Sequence, residues 1–273
     1  MKRLLLIVTA LGVGALLVWN FLPRSPAWTN EHRALVATPE LEVVRTGHLR
    51  SARLAQVTAD RVYASEDLFL FAGGHGDDGL SSTITYEQPV GAIARVKHVL
   101  GRMRLARMLR GYMGADRLVQ LGTGTVVMSY KGALYRATQG GEAFDKVFTL
   151  PDGIDIHPLA MTRDASDNVY FGEFFEAKPG RIASVWKGTD DGRTWQKVYT
   201  YPVDQIGHIH TIVYDRFRGR LWIATGDLDQ QSEIAWTDDG FATLHLLVRG
   251  SQDYSTCNLI PLPDGLVWAT HGS

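Results

Sequence analysis

The chain of 273 residues has a single cysteine, Cys257, so no intrachain disulfide can staple it. Cys257 opens the apolar run CNLIPL and reads as a small buried hydrophobe. A catalytic thiol would need a positioned histidine and a polarising environment, and neither is legible nearby. Charge excess is missing as well: 28 Lys and Arg stand against 29 Asp and Glu, for a net charge of −1. Without a basic stripe or a readable recognition module, nucleic acid is excluded as the expected partner. The acidic loop GGHGDDG, residues 73–79, lacks the ligand spacing of an EF-hand and reads as a turn. No metal or cofactor is expected.

One long apolar stretch is present, and it comes first. Lys2 and Arg3 precede Leu4 to Leu22, a run broken only by Thr9 and Asn20. At about 1.5 Å rise per residue, such a run approaches the thickness of a bilayer core. Ser25-Pro26-Ala27 is a poor cleavage site because proline occupies its middle. Residues 1–27 are therefore expected to be an uncleaved signal anchor with the N-terminus inside. A cleaved signal is the alternative, and either reading sends residues 28–273 to the periplasm or the cell exterior.

That remainder repeats itself. The windows at 137–144 (ATQGGEAF), 188–195 (GTDDGRTW) and 236–243 (WTDDGFAT) each carry Thr second and Gly fifth, and Gln139, Asp190 and Asp238 recur at spacings of 51 and 48 residues. The apolar segments HPLAM, HTIVY and CNLIP recur in step, each followed by a turn and a second strand, NVYFGE, RLWIATGD or GLVWATHG. Short apolar strands between Asp/Gly turns, at a period near 50 residues, predict a four-stranded β-propeller blade per repeat. In the second and third windows Asp190 and Asp238 are expected to take up turn N–H groups, Gly192 and Gly240 to supply the positive φ, and Trp195 to pack between sheets. Residues 96–113 carry Arg102, Arg104, Arg107 and Arg110 with apolar positions at helical spacing, which fits an inter-blade helix or a membrane-surface helix.

GTDDGRTW resembles the Asp-box pattern Ser-x-Asp-x-Gly-x-Thr-Trp of sialidase-like propellers, with Gly188 in place of the serine. More narrowly, residues 118–273 resemble a bacterial family of exported sialidase-like "glycosyl hydrolase" proteins, which has no assigned activity to carry over. The resemblance implies an all-β Asp-box propeller. Counting repeats from Arg61 gives four blades and half of a fifth, so the ring is expected to be incomplete within this sequence. No Phe-Arg-Ile-Pro motif occurs before the first blade, and an arginine triad is not readable, so true sialidase activity is not expected.

Inner strands of a propeller line its channel, and ligands bind at one mouth. The alignment starts successive inner strands with Arg117, His157, His210 and Cys257, and it places His208 on the same strand face as His210. Glu173, Asp227 and His271 end the next strands, beside Gly172 and Gly226, where backbone can approach a ligand. Two carboxylates and several histidines at one mouth suit glycoside chemistry or a metal; satisfied structural histidines are the plain alternative. The candidate catalytic residues are Glu173 and Asp227, and the candidate ligand-binding residues are these two with His157, His208 and His210. The expected function is carbohydrate binding or processing, with glycan or polysaccharide as partner. The alternative is a non-enzymatic scaffold or assembly factor that binds protein.

Overall fold

The computed structural model describes four strands between residues 53 and 85, and residues 117–270 apart from 131, 142, 176–179 and 181. It divides into two compact units, Met1–Gly114 and Ala115–Ser273. The described residues are all-β: every sheet is antiparallel, and the only helices are two single turns of 3-10 type. Among them no helix is long and apolar enough to cross a membrane. The stretch 4–22, the basic segment 96–113, residues 75–79 of the acidic loop and His271 lie outside the described residues.

In the first unit β1 (Arg53–Val57), β2 (Arg61–Glu66), β3 (Phe69–Gly74) and β4 (Ser82–Thr85) form one four-stranded meander. The stretch VYASEDLFLFAGG folds as the β2–β3 pair, with Val62 opposite Gly73. The strand before it is an addition, since RLAQV has too little apolar alternation to announce itself.

The second unit repeats the same meander. Its first sheet holds β5 (Arg117–Gln120), β6 (Val126–Tyr130), β7 (Ala133–Ala137) and β8 (Asp145–Thr149). The second holds β9 (Asp155–Arg163), β10 (Val169–Phe174), β11 (Ser184–Thr189) and β12 (Thr194–Thr200). The third holds β13 (His208–Asp215), β14 (Arg220–Gly226), β15 (Glu233–Thr237) and β16 (His245–Arg249). A pair, β17 (Leu259–Leu262) and β18 (Gly265–Trp268), follows. First strands pack side by side, β5 with β9, β9 with β13 and β13 with β17. Fourth strands face water: β8, β12 and β16 are exposed at most positions, whereas β6 and β7 are buried throughout. Sheets with packed first strands and wet fourth strands are propeller-like blades. Their shared core runs from Val127 and Leu134 through Phe171 and Val185 to Ile212, Ile223 and Ala235. Burying each of the Val, Leu, Ile and Phe side chains among these stabilises the fold by roughly 1.5–3 kcal/mol.

All three repeat windows fall in the turn between third and fourth strands, which is why their spacing matches the blade period. The turn chemistry differs from expectation in one respect. Asp190 and Asp191 both adopt left-handed backbone, with φ of 51° and 56°, yet the Asp190 carboxylate is 66% exposed and meets only Arg193, at 3.6 Å. Its neighbour does the fastening. The Asp191 carboxylate accepts from Thr123 Oγ1 at 2.7 Å, from Thr125 Oγ1 at 2.9 Å and from the Arg136 guanidinium, all in the preceding blade. In the next blade Asp239, not Asp238, accepts from Thr237 Oγ1 at 2.8 Å and the Thr243 N–H at 2.9 Å. Those donors, the Thr243 N–H foremost, hold its carboxyl down at about 2.

The expected packing of Trp195 is found. Its ring lies 6.0 Å from Phe148 of the preceding blade and 5.6 Å from Phe171 of its own. A Cβ on Gly188 would come within 2.7 Å of that ring, so glycine rather than serine opens this window. The turn glycines also touch equivalent places: a Cβ on Gly192 would meet Val127 at 2.6 Å, and one on Gly240 the Tyr170 hydroxyl at 3.2 Å. Val127 and Tyr170 are each the second residue of a second strand in the preceding blade.

Candidate functional site at the start of the inner strands

Antiparallel alternation sends first–second and third–fourth turns to one end of a blade, and leaves the start of the first strand beside the end of the second at the other. The Asp-rich turns therefore occupy one end. Most of the candidate ligand residues occupy the opposite end.

There His208 begins β13 directly opposite Gly226, and Asp227 follows β14. His210 Nε2 is 3.0 Å from His208 Nε2 and 3.3 Å from Asp227 Oδ1, and His208 Nε2 is 3.4 Å from Asp227 Oδ2. Both imidazoles are buried, while the Asp227 side chain is 39% exposed and forms the wet side of the cluster. His208 Nδ1 lies 3.0 Å from the Phe175 carbonyl, which anchors the ring to the preceding blade. The Phe174 ring packs 4.2 Å from that of His208. Asp227 has φ of 103°, and Gln252 Nε2 donates to its backbone carbonyl at 2.9 Å.

The flanking glycines serve packing, not ligand approach as expected. A Cβ on Gly172 would sit 2.3 Å from Ile209, and one on Gly226 2.3 Å from His210 Cε1. His157 borders the trio, its ring 6.3 Å from that of His210 and 5.2 Å from Phe174, with Nδ1 accepting from the Leu159 N–H at 3.3 Å. Arg117 is drawn off to the Met161 carbonyl at 3.3 Å. Cys257 is only partly buried; burial, then the charge of Asp227, pushes its thiol up, which keeps it protonated and unreactive.

Glu173 stands apart. Its side chain is buried and accepts from the Ser184 N–H at 2.9 Å and from Trp186 Nε1 at 2.7 Å, both on β11 of its own blade. It clamps a sheet, and the second carboxylate expected at the mouth is committed elsewhere. Glu173→Gln is expected to cost about 1–3 kcal/mol, because an amide turns at least one N–H toward these two donors. Urea melts would register that loss, while ligand binding at Asp227 should be unchanged.

Phe174, Phe175 and Gln252 contribute to the site without having been singled out. Only the FF pair carries a signal, as two aromatics directly after the predicted strand NVYFGE. Gln252 lies in a connecting segment whose pattern says nothing of where it folds.

No protein-family model matches the chain, and no curated protein sequence matches it either. Among solved structures, the extracellular domain of BT4673, a hybrid two-component system protein of B. thetaiotaomicron, is similar with a TM-score of 0.51 at 8% identity over 81% of this chain and 26% of its own. That likeness supports the fold alone. YCF48 bound to D1 peptide gives 0.48 at 11% identity, covering 78% of this chain and 59% of that one. A Niastella koreensis GH74 enzyme gives 0.45 at 17%, covering 77% and 32%. The chain spans less than two thirds of each.

Proposed function

We propose that this protein is an extracytoplasmic propeller that binds a carbohydrate at the inner-strand end of its blades, around His208, His210 and Asp227. The observation that carries this is the convergence of two buried imidazoles and one half-open carboxylate beside the Phe174 ring. Carboxylate oxygens accept pairs of sugar hydroxyls, and an aromatic face covers the apolar side of a pyranose. Binding is favoured over hydrolysis. Two-carboxylate glycosidases need an acid and a base or nucleophile about 5–10 Å apart, and Glu173 is occupied by Ser184 and Trp186. The location rests on the apolar stretch 4–22 behind Lys2 and Arg3; the BT4673 neighbour is itself an extracellular domain. A glycan array probed with the purified chain, with hydrolysis followed in parallel, tests the reading. Asp227→Asn should lower binding of any retained glycan at least about 10-fold with an unchanged melting curve. An empty array, or a glycan held equally well by the variant, would count against it and leave the protein-binding scaffold as the alternative.

A further inference from the structure

We propose that His208, His210 and Asp227 are the ligands of one divalent transition-metal ion, with zinc as the best fit, and that a further coordination position opens to solvent. The inference uses the same side chains as the reading above but stands without a glycan.

Three features on independent grounds point to a cation. The first is span. Two nitrogen or oxygen ligands about 2.0–2.1 Å from zinc at a tetrahedral angle lie about 3.3–3.4 Å apart. The nearest nitrogen and oxygen atoms here are separated by 3.0, 3.3 and 3.4 Å. Asp227 turns a different oxygen toward each imidazole, and with one ligand atom taken from each residue the three atoms lie within 4.8 Å of one another, a set that a small closure onto an ion would bring to that size.

The second is tautomer. The Phe175 carbonyl can only accept, so His208 Nδ1 carries the hydrogen across their 3.0 Å contact. A neutral His208 then turns its Nε2 lone pair toward Asp227 and His210. Histidine ligands of metals have this arrangement, one ring nitrogen donating to a carbonyl and the other facing the ion.

The third is preorganisation with the right donor set. Gly226 leaves the space that the His210 ring fills, since a Cβ there would lie 2.3 Å from Cε1. Gln252 holds the Asp227 carbonyl at 2.9 Å, in a left-handed backbone with φ of 103°. Two imidazoles with one carboxylate match zinc and its neighbours, whereas calcium and magnesium prefer all-oxygen shells. Three protein ligands with one exposed side are the format of zinc sites that bind water or substrate. The repeat alignment placed these three residues at one mouth, but as part of a wider set with Glu173 and His157, because the ligands come from one strand and from the loop beyond its partner rather than from a compact motif.

The test is a zinc titration of the purified full chain, after removal of metal by chelator dialysis, in competition with a chromophoric chelator. One equivalent should bind. Asp227→Asn, on the exposed side, should weaken binding at least about 10-fold while the melting curve stays in place; His208→Gln tests the buried ligand, with folding checked by circular dichroism. Cobalt(II) added instead should give the intense visible bands of a tetrahedral site, and these should vanish in Asp227→Asn. His245→Ala, remote on β16, should change neither readout. Absence of zinc binding, or binding undiminished in folded Asp227→Asn, overturns the proposal. Zinc binding with an empty glycan array would retain this inference and remove the carbohydrate reading; glycan binding by a chain that takes up no zinc would do the reverse.

Discussion

Glu233→Ala is expected to destabilise the chain by about 3 kcal/mol, the largest loss anticipated for a single side chain away from the candidate site. Glu233 opens β15 with essentially no solvent exposure, and its Oε2 accepts from Arg249 Nε at 2.7 Å and from a second guanidinium nitrogen. It also lies beside the fully buried Tyr201, whose hydroxyl is pushed well above its ordinary value by burial and then by the Glu233 charge. Truncation leaves a cavity and strips Arg249 of its carboxylate. Breaking a buried pair costs roughly 3–5 kcal/mol, and Arg249, 36% exposed, recovers part of that by reaching water. Guanidinium unfolding would measure it, with Glu233→Gln expected to fall between. A loss below about 1 kcal/mol would mean that this pairing does not hold the β15–β16 edge.

The second large effect separates two adjacent aspartates. Asp191→Ala is expected to cost about 2–3 kcal/mol and Asp190→Ala less than about 0.5 kcal/mol. Removing the Asp191 carboxylate takes the acceptor from the Thr123 and Thr125 hydroxyls and from one guanidinium nitrogen of Arg136, which is only 7% exposed and keeps its Nε bond to the Asp191 backbone carbonyl at 2.7 Å. Asp190 offers only an exposed contact with Arg193. Acid should reveal the same difference. Burial alone would push the Asp191 carboxyl up, but hydrogen bonds from Thr123, Arg136 and Thr125 together outweigh it and hold it below the ordinary 3.8. A depressed carboxyl contributes stability that is present above its unfolded value and fades as pH falls through its folded one. The gap between wild type and Asp191→Ala should therefore persist at neutral pH and shrink below about pH 4. Equal losses in the two variants would return the fastening role to Asp190.

That contrast marks how far sequence reading reaches. Blade period, strand order and the turn that holds each window follow from local apolar alternation and Asp/Gly chemistry, so they were legible. Of two neighbouring aspartates, both suited to a turn, the one that reaches the preceding blade is fixed by tertiary geometry, and Thr123 lies 68 positions from Asp191. The site was half legible for the same reason. His208, His210 and Asp227 share the end of one hairpin, and strand periodicity brings them together. Glu173 occupies the matching position one blade earlier, yet Trp186 across its own sheet captures it. Repeat alignment predicts place; it does not predict which donor arrives first.

Among the described residues the inter-blade ties join consecutive blades. Asp167 accepts from the Gly122 N–H at 2.9–3.0 Å, Asp191 grips Thr123, Thr125 and Arg136, His208 holds the Phe175 carbonyl, and Thr211 Oγ1 donates to the Leu159 carbonyl at 2.8 Å. Stability of such an array is a sum of intrinsic terms and nearest-neighbour coupling terms, as in a one-dimensional lattice. A weakened interface then acts as a domain wall, where the two flanking blades lose one coupling each and the others retain theirs. Because the His208–Phe175 tie is itself one of those couplings, whatever orders the His208 ring also strengthens cooperativity between the blades that flank it.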